Sequence, residues 1–173
     1  MDNKVDAESV AKSEQNAMNA ITIDCVVFGF HDAQLKVLVI KSKSKDVWQL
    51  PGSYVLKTEN LDEAAIRILF ERTGASDIYL QQFSVFGDLN RNQGFFDELS
   101  DDTWNKQRFI TIGYYALVDF SKVNLVEDEY SEVCLWKSLD ELPKLMMDHS
   151  TILETALITL RRQLNYKPIG YNL

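Results

Sequence analysis

The stretch that decides the fold is Trp48–Ala75, WQLPGSYVLKTENLDEAAIRILFERTGA. It opens on a proline-glycine turn, Pro51-Gly52, crosses a loop carrying Glu59, and enters a segment with a helical period. Leu61, Ala64, Ala65, Ile68 and Leu69 fall at i, i+3, i+4, i+7 and i+8, so one side of that segment is apolar. Gly74 is the expected C-terminal stop, because glycine enters the left-handed conformation that ends helices without steric cost. The spacing predicts a helix over 60–73, with Arg67 and Glu71 riding on it.

Upstream, ITIDCVVFGF and LKVLVIK are β-branched apolar runs separated by HDAQ, which reads as two strands and a short turn. KSKSKD is a charged loop before Trp48. Residues 1–19 are polar and lack aromatics and a clear period, so they read as a loosely ordered arm.

Downstream, IYLQQFSVFGDL alternates as a strand, and NRNQGFFDELSDDTWNKQ is a long polar loop carrying Phe95, Phe96 and Trp104. Loops of that length in a compact domain are often functional. RFITIGYYALVDF is the most strand-like run, and EYSEVCLWKSLDEL reads as a strand and a helix start, with capping-box spacing at Ser138 and Glu141. Thr151 and Glu154 repeat that spacing at the expected start of a last helix, whose Leu153, Ala156, Leu157, Leu160 and Leu164 form a stripe. The order of strands, helix, strands, helix argues for an α/β fold, a mixed sheet covered by helices rather than a doubly wound parallel sheet.

Composition limits the function. The chain has 173 residues, 46% of them hydrophobic, and no apolar run approaches the length of about 18 residues that a membrane span needs. The first residues lack the apolar core of a signal peptide, which makes the cytoplasm the default. With two cysteines, Cys25 and Cys134 in apolar segments, and two histidines, no zinc-ligand spacing can be assembled, and buried thiols are expected. The net charge of −8 opposes direct contact with nucleic acid, which depends on neutralising phosphates.

The opening stretch resembles the Nudix motif, G-x5-E-x7-R-E-U-x-E-E-x-G-U with U aliphatic. Aligned on Gly74, Glu59, Arg67, Leu69 and Glu71 fall on motif positions, while Ser53 replaces the leading glycine with Gly52 one residue before it. WQLPG and the later YYALV are similar to the family as well, and the resemblance covers Ile21 to His149. It implies a Nudix-type α/β/α sandwich over residues 20–149, with 150–173 forming a linker helix and tail.

In active members the resemblance implies three helix glutamates that bind magnesium, which bridges a diphosphate and helps generate hydroxide. Those positions read Ile68, Glu71 and Arg72 here. Isoleucine has no lone pair to donate, and arginine puts a fixed positive charge where the cation would lie. Two unit charges about 4 Å apart repel by about 4 kcal/mol at an effective dielectric of about 20, and a divalent ion doubles that. The expectation is therefore no catalytic residues, no metal and no cofactor, with magnesium required only under the hydrolase alternative.

FGDLNR, RFITIGYYALV and LPKLMMDHSTILETALITLRRQL followed by YKPIGYNL are similar to segments of Nudix-related transcriptional regulators, a group that includes NAD-metabolism repressors and arabinose-responsive members. That resemblance implies an effector-sensing domain, a sugar or ADP-ribose-type effector and a homodimer. The eroded motif leans toward the arabinose group. A winged helix-turn-helix is expected beyond Leu173, so DNA would be met only through a domain outside this chain.

Candidate effector contacts are Glu59, Glu71, Arg72, Asp88, Arg91 and Arg108, with Gly52, Arg67 and Gly74 as motif scaffold. Each has a plainer reading. Glu59 and Arg67 hold loop to helix, Glu71 is a solvated helix residue, Arg72 pairs with a nearby acid, and Asp88, Arg91 and Arg108 are solvated loop residues. Trp48 and Tyr114 suit core packing better than stacking on a ligand, and His149 suits the start of the last helix. The stripe of that helix fits a dimer interface and packing on its own sheet equally. Two other functions compete with sensing: a hydrolase of nucleoside diphosphate derivatives using Glu59 with Glu71, and a protein-interaction module.

Overall fold

The computed structural model describes residues 20–43, 46–95, 107–126 and 131–166, the last segment with backbone only at 131 and 132. The N-terminal arm, Phe96, Trp104 and the residues after Tyr166 lie outside the described residues. Strands β1 (Ile21–His31) and β2 (Gln34–Ser42) form a hairpin across HDAQ. Asp32 and Ala33 both have positive φ, 47° and 58°, as a two-residue turn matching the strand twist requires. Short strands β3 (Trp48–Gln49) and β4 (Gly52–Tyr54) come next, then helix α1 (Leu61–Thr73), β5 (Gln81–Phe86), β6 (Ile110–Val118), β7 (Ser131–Ser138) and helix α2 (His149–Tyr166).

The strands make one seven-stranded sheet in the order β3-β2-β1-β6-β5, with β4 paired to β1 and β7 to β2. β1 and β6 run parallel in register from Ile21↔Ile110 to Gly29↔Val118, and the other pairings are antiparallel. The sheet is therefore mixed, as the element order predicts.

The alternation of β1 divides the interior into two cores. Ile23, Cys25 and Val27 join Ala64, Ala65, Ile68 and Leu69 of α1. Val26 and Phe28, of the opposite parity, join Ile152, Leu153, Ala156 and Leu160 of α2. The sheet is thus sandwiched between two helices. Cys25 is buried, and burial pushes its thiol well above the ordinary range. Among the described residues no helix is long and apolar enough to cross a membrane.

α1 follows its expected span. Asn60 is the N-cap rather than the first helical residue: its side chain accepts from the Glu63 N–H while Glu63 returns a bond to the Asn60 N–H, both at 3.0 Å. Gly74 ends the helix at φ 70°, its N–H bonded to the Phe70 carbonyl.

Two expected helix starts are corrected. Ser138–Glu141 opens only a 3-10 turn, Leu139–Glu141, with no side-chain cap. Pro143 accounts for this, since the residue before a proline is driven out of the helical region, and Leu142 is extended at ψ 129°. The last helix starts at His149, ahead of Thr151, because the chain turns at Met147 (φ 47°) and the Asp148 carbonyl already accepts from Ile152 N–H at 3.1 Å. Of the stripe on α2, Leu153, Ala156 and Leu160 are buried on the chain's own sheet, whereas Leu164 is exposed.

Candidate functional site

The Nudix-like motif folds into a loop clamped onto a helix. Arg67, in the middle of α1, donates from Nε and Nη2 to the two oxygens of Glu59 at 2.7 and 2.6 Å. Nη2 also donates to the Tyr54 carbonyl at 3.0 Å, and Nη1 to Glu71 Oε2 at 2.7 Å. The Leu56 N–H donates to Glu59 at 2.8 Å. One planar guanidinium thus ties β4, the loop and two carboxylates together, a role lysine could not fill. Arg67 beside it holds the Glu59 carboxyl below the usual carboxylate range.

The three positions at which active relatives of the motif carry glutamate diverge in space. Ile68 is fully buried in the core under α1. Glu71 is exposed, and its carboxylate takes the Arg67 guanidinium. Arg72 is half-buried in the last turn of the helix. The trio offers one carboxylate, and that one is engaged.

The remaining candidates lie where β5 hands over to β6. Asp88 is exposed and accepts from the Asn90 N–H at 3.1 Å, a bond within its own loop. Arg108 is exposed and donates to the Gly87 carbonyl at 3.2 Å. Arg91 is different: its side chain is only 2% exposed and holds Asp148 through two bonds, at 2.9 and 2.8 Å. It also donates to Thr111 Oγ1. The Arg91 guanidinium lies 4.9 Å over the Phe109 ring, which meets the Tyr54 ring edge-on at 6.5 Å. Through Tyr54 this second group of residues reaches the Arg67 clamp.

Around Arg91 is a buried polar cluster of Thr22, Asp24, Thr111 and His149; the sequence points to His149 only as a helix-start residue and does not single out the other three. The Thr22 and Thr111 hydroxyls, neighbours in the β1–β6 register, are 2.6 Å apart. His149 Nδ1 accepts the Leu50 N–H at 3.0 Å, which leaves Nε2 to carry the proton, 3.7 Å from Asp24 Oδ2. Burial pushes the Asp24 carboxyl above its ordinary value against the pull of His149 and Arg91. A signal was available in the parity of β1, where Thr22 and Asp24 share a face with Val26 and Phe28.

Trp48 packs against the α2-side core, and Tyr114 is 1% exposed with its hydroxyl donating to Asp62 at 2.7 Å.

The chain matches the NUDIX domain family over residues 18–156. It belongs to the Nudix family. A curated protein similar to this Nudix domain is the ADPR responsive transcriptional repressor NtrR of Acinetobacter baylyi, 29% identical over an alignment of 160 residues, with coverage of 88% of this chain and 59% of the relative. The chain thus spans about 59% of the length of that repressor. Its fold is similar to the NUDIX domain of Shewanella oneidensis NrtR complexed with ADP ribose, with a TM-score of 0.70, 25% identity, and coverage of 90% of this chain and 99% of that one. It is also similar to Shewanella oneidensis NrtR complexed with a 27mer DNA, with a TM-score of 0.63 and 27% identity over 83% of this chain and 63% of that one.

A cavity of about 730 Å³ lies at the opposite end of β6 of this Nudix domain, lined among others by Gly74, Tyr79, Gln81, Tyr115, Leu117 and Asn124. None of the candidates Glu59, Glu71, Arg72, Asp88, Arg91 or Arg108 lines it.

Proposed function

We propose that this Nudix domain is the effector-sensing part of a transcriptional regulator and that it binds an ADP-ribose-type nucleotide without hydrolysing it. The observation that carries this reading is the state of the motif: the clamp that shapes it is complete, and the positions that would hold metal are not. Ile68 is in the core, Glu71 is tied to Arg67, and Arg72 adds positive charge. Magnesium needs several hard oxygen ligands in near-octahedral geometry, so this set does not fit it. An arginine in that place suits an anionic ligand instead.

A nucleotide is favoured over a pentose because the two relatives named for their ligand respond to or bind ADP-ribose. Arg72 and Arg108 would meet the diphosphate, and Glu71 and Asp88 the ribose hydroxyls. The regulator would act as a cytoplasmic homodimer and meet DNA through a further domain, and the acidic charge of −8 on this chain favours that division of labour.

Titration calorimetry of this chain with ADP-ribose, ADP and arabinose tests the reading. ADP-ribose is expected to bind without added metal, and Arg72→Ala to weaken it about tenfold or more, the loss of one charge-assisted contact. Binding of arabinose alone, or an affinity unchanged by Arg72→Ala, would contradict this assignment.

A further inference from the structure

The Arg67 clamp and the buried cluster around Arg91 are not separate. The start of α2 is held from two directions, and each hold leads back to a loop bordering the motif face. On one side the Met146 N–H donates to the Trp48 carbonyl at 2.8 Å, and His149 Nδ1 receives the Leu50 N–H. Both partners belong to the turn that enters the motif. On the other side Asp148, the residue before α2, is gripped by Arg91 from the loop after β5, 57 positions away in sequence. Arg91 packs on Phe109, which adjoins Arg108 and contacts Tyr54, whose carbonyl receives Arg67.

We infer that the Arg91–Asp148 ion pair is the joint through which a ligand on the motif face acts on helix α2. This rests on the effector reading and names the element that would transmit occupancy. Such an element must have discrete states rather than bend continuously. A mostly buried ion pair meets that requirement, because partial separation leaves a charge in the interior without its partner. The chain beside it is held in a constrained state: Met147 has φ 47°, a left-handed conformation that a non-glycine residue adopts when its surroundings impose it. The Asp148 carboxylate is committed to Arg91, and the Asp148 carbonyl accepts the helical bond from Ile152 N–H. Displacing Phe109 or Arg108 by a ligand would shift the Arg91 guanidinium, and with it the carboxylate that anchors the helix start. Asp148 is thus a positioning residue.

Hydrogen exchange of the Ile152 and Leu153 amides in this chain, with and without saturating ADP-ribose, reads the coupling directly. In the unsubstituted protein, ADP-ribose should change their exchange rates by about fivefold or more, the lower range of allosteric couplings. Asp148→Asn should bind ADP-ribose with an affinity within about threefold of the parent, yet lose that change, since only the coupling and not the contact surface is removed. Asp148→Glu, which keeps the charge, should recover part of it. Should Asp148→Asn fail to fold, the unsubstituted chain still decides: bound ADP-ribose with no change at Ile152 and Leu153 overturns the joint alone. A full response in Asp148→Asn overturns it too. Absence of ADP-ribose binding by the unsubstituted chain overturns the effector reading and the joint with it.

Discussion

Arg67 grips Glu59 edge to edge, Nε and Nη2 donating to the two carboxylate oxygens at 2.7 and 2.6 Å, and this pair holds the motif loop on its helix. Glu59→Gln replaces a charge-assisted pair by a single weaker bond, and should cost about 1–3 kcal/mol at pH 7. The pH dependence has a definite sign. Arg67 depresses the folded-state pKa of Glu59, so its stabilisation is present above the ordinary value of 4.5 and is lost as pH falls through the lower, folded value. Thermal unfolding of parent and variant should therefore differ clearly at pH 7, and the gap should narrow below pH 4.5.

Gly52 is required by a close approach. A Cβ built there would clash with Asp24 Oδ1 and lie 3.0 Å from the Ile23 carbonyl oxygen. Asp24 is buried and cannot swing away into water, so Gly52→Ala should destabilise by about 2 kcal/mol or more, like other overpacking changes. In a double-mutant cycle with Asp24→Ala, urea unfolding should recover at least about 0.5 kcal/mol of that loss. Strict additivity would show that the contact is not the cause.

Tyr114 reaches from β6 to the first turn of α1, where its hydroxyl donates to Asp62 at 2.7 Å. Tyr114→Phe should lower stability by about 1–3 kcal/mol, the net value of a hydrogen bond to a carboxylate. ADP-ribose affinity should stay the same. A large loss of affinity would instead make this residue part of the ligand surface.

The features legible in the sequence divide from the rest along the range of the interactions. The face of α1 is set by the period of a few neighbouring residues, so Ala64, Ala65, Ile68 and Leu69 were placed correctly against the sheet. The hairpin at Asp32-Ala33 and the stop at Gly74 are equally local. The helix starts at Ser138 and Thr151 failed because capping spacing takes no account of the residues flanking it, Pro143 in one case and the turn at Met147 in the other. The site divides in the same way. Glu59, Arg67 and Glu71 lie within one short stretch, and their mutual contacts follow from a loop feeding a helix. Arg91 reads as a loop residue by its neighbours, yet it is interior because a carboxylate far along the chain meets it there. No local pattern carries that information.

Under the proposed function, this domain binds a nucleotide without cleaving it. ³¹P NMR of ADP-ribose incubated with this chain, in the presence and absence of magnesium, separates binding from cleavage in one measurement. The diphosphate signals should broaden or shift on binding, and their total intensity should be unchanged with or without the metal. Magnesium-dependent appearance of AMP and ribose 5-phosphate signals would contradict the reading.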